Sequence, residues 1–514
     1  MTVQIFYNLN AITCDDKIPR AKLVVVKDGF IQAVSGKDRL VEFQSRKTIF
    51  IDCKGRTLLP GFIDPHFHFH AFAASLVSID LSSKEGVRSI KDIQSKIKAC
   101  RLQSRPGSWI RAQKYCEFDL KEKRHPNRWD IDQAVCDFPV KLTHRSGHAH
   151  VLNSLGLTLA GISRSTPDPP GGMIDRDLHT GDPTGLLYEM GGYLSKCIPR
   201  PEADQFEHAV KMAGNELIAS GITSFQDASI GNGTDEWHAF HNWIQKKLIQ
   251  HHVTMMLGAD TFDIHGRDIF FGLTAGPRLQ LGGVKIILDE TTGSLHPEQR
   301  QLNEKVLEIH RAGQQVAIHA IEANAVESAC LAIEHALKRF PRTDHRHRIE
   351  HCSVCPSQLA GRLASAGIWV VTQPSFVYFN GKRYLETVPR QQHAFLYPIK
   401  SLLDKGISVA AGSDAPVAPL DPFAGIYSAV TRCCETGERI GENNAISVMD
   451  ALAMMTIKAA MACRHEMVKG SISPGKRADM ILVDQDPTKV DLEDLKTLKV
   501  QKTILGGEFF DTCL

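Results

Sequence analysis

From about residue 205 the chain alternates helix-like runs with strand-like ones. "HAVKMAGNELIAS" is followed by "GITSFQD", "NEKVLEIHRAGQ" by "QVAIHA", "AVESACLAIEHALKRF" by "HRIEH", "SQLAGRLASAG" by "IWVVTQ" and "IKSLLDKG" by "ISVAAGSD". A sustained alternation of this kind predicts a parallel α/β architecture. Within one of the helical runs Val326, Ala329, Ala332, Ile333, Ala336 and Leu337 recur at three- and four-residue spacings, the mark of a helix with one apolar face. Lys285 and His319 are 34 residues apart, and His319 and His351 are 32 apart. A βα unit takes roughly 30 residues, so these positions suit successive strand ends.

At 514 residues the chain exceeds one ordinary core, which points to a barrel-sized domain with smaller pieces beside it. Hydrophobic residues at 43%, charged residues at 23% and a net charge of +2 describe a globular protein without a polybasic stripe, so nucleic acid is not an expected partner. The start "MTVQIFYNLNAITCDDK" has no basic segment leading into an apolar one, and no apolar run approaches the roughly 18 residues of a membrane span. A cytoplasmic protein with no membrane partner is the expectation, and self-association is left open. The 13 cysteines are scattered and odd in number, which favours reduced thiols over a disulfide scaffold. Cys352 and Cys355 form a CxxC with no second pair to complete a zinc site, and Cys433 and Cys434 are adjacent; packing is the expected role of all four.

The two ends of the chain read as β structure. Residues 22 to 52 alternate short β-branched and aromatic runs with Asp-Gly and Ser-Gly-Lys turn signals, the pattern of small antiparallel strands, and "ADMILVDQDP" and "VQKTILGGEFFD" repeat that character near the C-terminus. Residues of about 75 to 200, with "RSTPDPPGGMIDRDLHTGDPTG" among them, fit the alternation poorly and read as an irregular insertion that shapes substrate access.

Five places put a potential metal ligand at the C-terminal end of a short apolar run: "GFIDPHFH" with His66 and His68, "GGVKIILDE" with Lys285, "VAIHA" with His319, "RIEH" with His351 and "ISVAAGSDAP" with Asp414. In a parallel barrel such strand ends converge on one face. A His-x-His pair on a strand directs both imidazoles to the same side, because strand side chains alternate with period two. Imidazoles with a carboxylate suit zinc and its neighbours in the transition series. His70 would share that side if the strand continued, as a pocket or packing residue.

The order HxH, Lys, His, His, Asp resembles the metal-dependent amidohydrolase superfamily. "LLPGFIDPHFH", "GHAHVLNSLGL", "TGDPTGLLYE", "GGVKIILDETTGS", "HRIEHC", "TQPSF", "GSDAPVAPLDPFAGIYSAVTR" and "KGSISPGKRADMILVDQDP" resemble its amidohydrolase 3 branch, the YtcJ-like and N-substituted formamide deformylase-like proteins, from about residue 20 to 510. The resemblance implies a (β/α)8 TIM barrel with a composite β-sandwich domain made from the N- and C-terminal segments, and an insertion after the first barrel strand. It divides the chain into a sandwich of residues 1–60 and 470–514 and a barrel of residues 61–469, with an inserted capping segment at about 75–200. It further implies His66, His68, Lys285, His319, His351 and Asp414 as ligands of a divalent metal, zinc by expectation. One ion is implied, or two where Lys285 carries a carboxylate from CO2, because an unmodified ammonium has no lone pair to offer.

The implied reaction is hydrolysis of an amide-type or N-formyl carbon–nitrogen bond in a small molecule by metal-activated water. Asp414 would take the water's proton and return it to the leaving nitrogen, and His148 would contact substrate. Deamination, cyclic-amide opening and an inactive binding homologue are the alternatives. The chain departs from the branch where Glu322-Ala323-Asn324-Ala325-Val326 replaces the usual Gly-Asp-Arg-Ala-Val, and where Glu290 follows Asp289. A changed substrate pocket is the implication.

Overall fold

The computed structural model describes residues 3–36, 48–169, 171–199, 202–273, 276–290 and 294–511. The stretch 37–47, in the middle of the expected N-terminal strands, lies outside them. The chain divides into two units, one made of Met1–His68, Ala213–Leu288 and Pro297–Leu514, the other of Phe69–Met212 with Asp289–His296.

The first unit is built around eight parallel strands: β1 Phe62–Phe67, β2 Ile222–Asp227, β3 His252–Gly258, β4 Leu279–Ile287, β5 Val316–Ala320, β6 Arg348–His351, β7 Trp369–Thr372 and β8 Val409–Ala411. They pair in sequence order from β1 to β8. Their residues are buried almost throughout because one face of each strand meets the barrel interior and the other meets helices, which is why "VAIHA" reads as a continuous run rather than an alternating one. The predicted one-faced helix is present as Ala323–Arg339, and it buries Val326, Ala329, Ala332, Ile333 and Ala336.

The barrel closes just beyond β8. The Asp414 amide donates to the His66 carbonyl at 2.9 Å and the Ser413 amide to Asp64 Oδ1 at 3.1 Å, so the loop after β8 is laced to β1. Gly412 makes that approach feasible, since a Cβ there would stand 2.8 Å from the His66 Cβ and 3.0 Å from its amide nitrogen. The fold is therefore a (β/α)8 barrel.

Both chain ends build the β-sandwich. Thr57–Pro60 pairs antiparallel with Met480–Val483, placing Leu59 opposite Ile481, in a six-stranded sheet that also holds Val500–Leu505 and Glu508–Asp511. A four-stranded sheet holds Val3–Tyr7, Leu23–Lys27, Phe30–Ser35 and Thr48–Asp52. Phe6, Val24 and Val26 from the smaller sheet share one core with Leu58, Met480, Leu482 and Ile504 from the larger. Asp28 and Gly29 form the hairpin turn with φ of 51° and 84°, as the Asp-Gly signal requires. Thr48–Asp52 corrects the purely antiparallel expectation, because it lies parallel to Val3–Tyr7.

The second unit also departs from expectation, being ordered where the sequence reads as irregular. It contains a six-stranded sheet of Met173–Arg176, Pro183–Tyr188, Ala149–Leu152, Val140–His144, Ile110–Tyr115 and Ile79–Asp80, in that order. Ile93, Ile97, Val140, Leu142 and Val151 are buried in its core. Asn127 and Asp130 cap its helix Arg128–Asp132 reciprocally, and Asn153 caps Ser154–Leu159 through the Gly156 amide. The insertion is thus a folded element with its own apolar core. Among the described residues no helix is long and apolar enough to cross a membrane. Cys352, Cys355, Cys433 and Cys434 are buried free thiols.

Candidate metal centre

His66 lies near the end of β1 and His68 just past it, with ring centroids 5.3 Å apart. Lys285 stands in β4, His319 in β5 and His351 at the last position of β6, while Asp414 follows β8 by three residues. All six belong to the barrel unit. Donor atoms of His66, His351 and Asp414 lie within 4.8 Å of one another. His68 Nε2 is 3.0 Å from Asp414 Oδ1, Lys285 Nζ is 3.4 Å from His66 Nε2, and the His319 ring sits 4.4 Å from that of His351. His351 and Asp414 have left-handed backbone, φ 71° and 57°, which costs a non-glycine residue about 1 kcal/mol or more and is held here by the surrounding contacts.

Burial keeps His66 well below the ordinary imidazole value and lowers His351 too, with Lys285 pressing the same way, so both rings are neutral and carry a lone pair. Burial also brings the Lys285 amine down to about 8. At Asp414 burial opposes ionisation, but the hydrogen bond from His68 and the neighbouring His66 and His351 outweigh it and hold the carboxyl well below its usual range.

A second layer of residues, not singled out from the sequence, fixes these groups. His66 Nδ1 donates to Glu350, which turns Nε2 toward Lys285 and Asp414. Glu350 in turn accepts from Arg348 Nε at 2.5 Å, and Arg348 also donates to the Pro65 and Ala462 carbonyls; both side chains are fully buried. Gln373 Oε1 accepts from His351 Nδ1 at 2.8 Å. Ser229 Oγ meets His68 Nδ1 at 3.1 Å. Asp64, raised to about 7 by burial, takes hydrogen bonds from the amides of His66 and Ser413. The sequence signal for Glu350 and Arg348 was available in principle, as two charges at period-two spacing in a strand with both faces covered.

His148 belongs to the insertion unit, where its Nδ1 lies 2.8 Å from Glu189 Oε1. His70 is in the helix Phe69–Leu76 rather than on an extension of β1, and it stacks on Phe206 at 6.0 Å.

Two neutral imidazoles and one ionised carboxylate around one buried point match the needs of a divalent transition metal. A parallel barrel with such a point at its C-terminal strand ends defines a metal-dependent barrel hydrolase. The family model described as amidohydrolase family matches residues 50–510, and the chain belongs to that family. It is accordingly an enzyme, a metal-dependent hydrolase acting on carbon–nitrogen bonds. YtcJ of Bacillus subtilis is 28% identical over 95% of this chain and 96% of its own length. N-substituted formamide deformylase of Arthrobacter pascens is 27% identical over 97% of this chain and 96% of its own. Among solved structures, a metal-dependent hydrolase of uncharacterised activity from Pyrococcus horikoshii shares the fold with a TM-score of 0.77 at 22% identity, covering 96% of this chain and 99% of that one.

Proposed function

We propose that the chain hydrolyses a small amide-type or N-formyl substrate at a zinc centre held by His66, His68, His319, His351 and Asp414. The observation that carries the reading is the buried convergence of imidazoles and one ionised carboxylate where the strands end. Bound zinc would supply Lewis acidity, bringing a water from near 16 to about 7 in pKa and polarising the scissile carbonyl. Asp414, ionised and hydrogen-bonded to His68, is placed to take the proton from the attacking water at Oδ1 or Oδ2 and to deliver it to the leaving nitrogen. Lys285, a buried amine drawn down to about 8, has the neutral fraction needed to add to CO2 and release a proton, giving a carbamate that would hold a second ion.

In this reading residues 1–60 and 470–514 form the sandwich domain, 61–469 the barrel, and the segment at about 75–200 governs substrate access, with His148 as a substrate contact. Nucleic acid and membranes have no part in it, and the enzyme works in the cytoplasm. The similarity to a formamide deformylase supports the N-formyl class. Glu322 to Val326 and Glu290 mark where the pocket differs.

The test is a panel of N-formyl, N-acyl and cyclic amides assayed with added Zn²⁺ or Mn²⁺, on the wild type and on Asp414→Asn. At least one amide should be turned over, and Asp414→Asn should lose roughly 10²- to 10⁴-fold in kcat, the usual contribution of a general acid–base. Wild-type rates in that variant would exclude the proton role.

A further inference from the structure

A second set of ligating side chains lies in the insertion unit, apart from the six residues above. Ile110–Tyr115 and Val140–His144 run parallel, with Tyr115 opposite His144, so the residues that follow the two strands emerge side by side. There the donor atoms of Cys116, Glu117 and His144 come within 4.8 Å of one another. Cys116 is 4% exposed and His144 7%. His144 Nε2 and Glu117 Oε2 are 2.9 Å apart, yet both are buried and neither has a hydrogen bond of acceptable alignment. Buried polar atoms left in this state carry a desolvation cost that a ligand would remove. His125 Nε2 approaches the other carboxylate oxygen at 3.8 Å.

The outer nitrogens of both imidazoles are already engaged. His144 Nδ1 meets Ser146 Oγ at 2.7 Å, and His125 Nδ1 meets Tyr115 Oη at 3.1 Å. The Ser146 amide also donates to His144 Nδ1 at 3.2 Å, so a metal at Nε2 requires the tautomer in which Nδ1 gives up that bond and donates to Ser146 Oγ instead, the arrangement of a metal-ligating histidine.

We propose that Cys116, Glu117 and His144, with His125 as the fourth ligand, hold a structural divalent metal ion of the zinc class that ties together the ends of the two parallel strands. One sulfur, one carboxylate and two imidazoles are a four-coordinate donor set for such an ion, whose donors would stand about 3.3 to 3.8 Å apart at metal–ligand lengths of about 2.0 to 2.3 Å. Binding deprotonates the Cys116 thiol, and the proton leaves to solvent. Four protein ligands leave no open position, so this ion takes no part in turnover.

Cobalt distinguishes this ion from one in the barrel, because the six barrel residues include no thiolate. Protein expressed in cobalt-supplemented medium should show a thiolate-to-cobalt charge-transfer band in the near ultraviolet. Cys116→Ser, an isosteric change, should abolish that band and lower the bound cobalt by one ion per chain while hydrolysis persists. Glu117→Gln should weaken cobalt retention against a chelator by at least tenfold with the band still present at saturation. Absence of the band from wild-type protein, or its survival in Cys116→Ser, would overturn the proposal. Neither result bears on the barrel centre.

Discussion

Glu350 shows how a residue that touches no substrate can decide a metal site. It accepts the His66 Nδ1 proton and pairs with Arg348 in a fully buried chain. Glu350→Gln keeps the shape but removes the charge, leaving Arg348 buried without its counter-ion. Metal affinity measured by chelator competition should fall about 10- to 100-fold. Urea unfolding should show a loss of about 3 to 5 kcal/mol. Unchanged affinity would mean that His66 needs no such support. At this scale the sequence reveals the residues that converge at the strand ends, because His-x-His and strand-end positions form a pattern. It conceals Gln373, since an uncharged partner reached through a hydrogen bond leaves no spacing behind.

Among the elements, β8 is the shortest barrel strand, only Val409–Ala411, and the loop after it does the closing. Gly412→Ala would drive a methyl group into the His66 Cβ and backbone. The expected cost is about 1 to 3 kcal/mol, the usual range for overpacking, read as a lower melting temperature together with weaker metal retention. A variant as stable as the wild type would show that the seam can yield. The barrel strands after β3 were legible because helices separate them and burial on both faces makes them apolar. The insertion sheet was not. Its strands Ile110–Tyr115 and Val140–His144 interleave Arg111, Gln113, Lys141 and Thr143 with their buried positions, and the Pro- and Gly-rich run beside them reads as loop. Parallel pairing of Thr48–Asp52 with Val3–Tyr7 is not legible in the sequence, because periodicity does not encode strand direction.

Over the whole molecule, histidines buried in the folded barrel set a limit at low pH. Burial lowers His251, just before β3, to about 3, and lowers His465, which contacts Thr254 in β3 at 3.1 Å, to about 4. In the unfolded chain both titrate near 6.5. The unfolded state therefore binds more protons than the folded state between about pH 6.5 and 3. Stability is full above pH 6.5 and should fall by up to about 1.4 kcal/mol per pH unit for each group as the pH drops through that window. His251→Gln and His465→Gln should flatten the pH dependence of urea midpoints over pH 4 to 6.5; equal slopes would assign the acid loss to other groups.

The union of the two chain ends in one sandwich was legible from their shared β character, and Leu59 opposite Ile481 gives it a register that the sequence alone does not fix. The central claim, that the strand ends of the barrel build a metal centre, is tested most directly by anomalous diffraction at the zinc edge from crystals grown with Zn²⁺. The account predicts a peak bounded by His66, His68, His319, His351 and Asp414, and a second one beside Lys285 if that residue is carboxylated. Well-ordered side chains at these positions with no anomalous peak among them would contradict it.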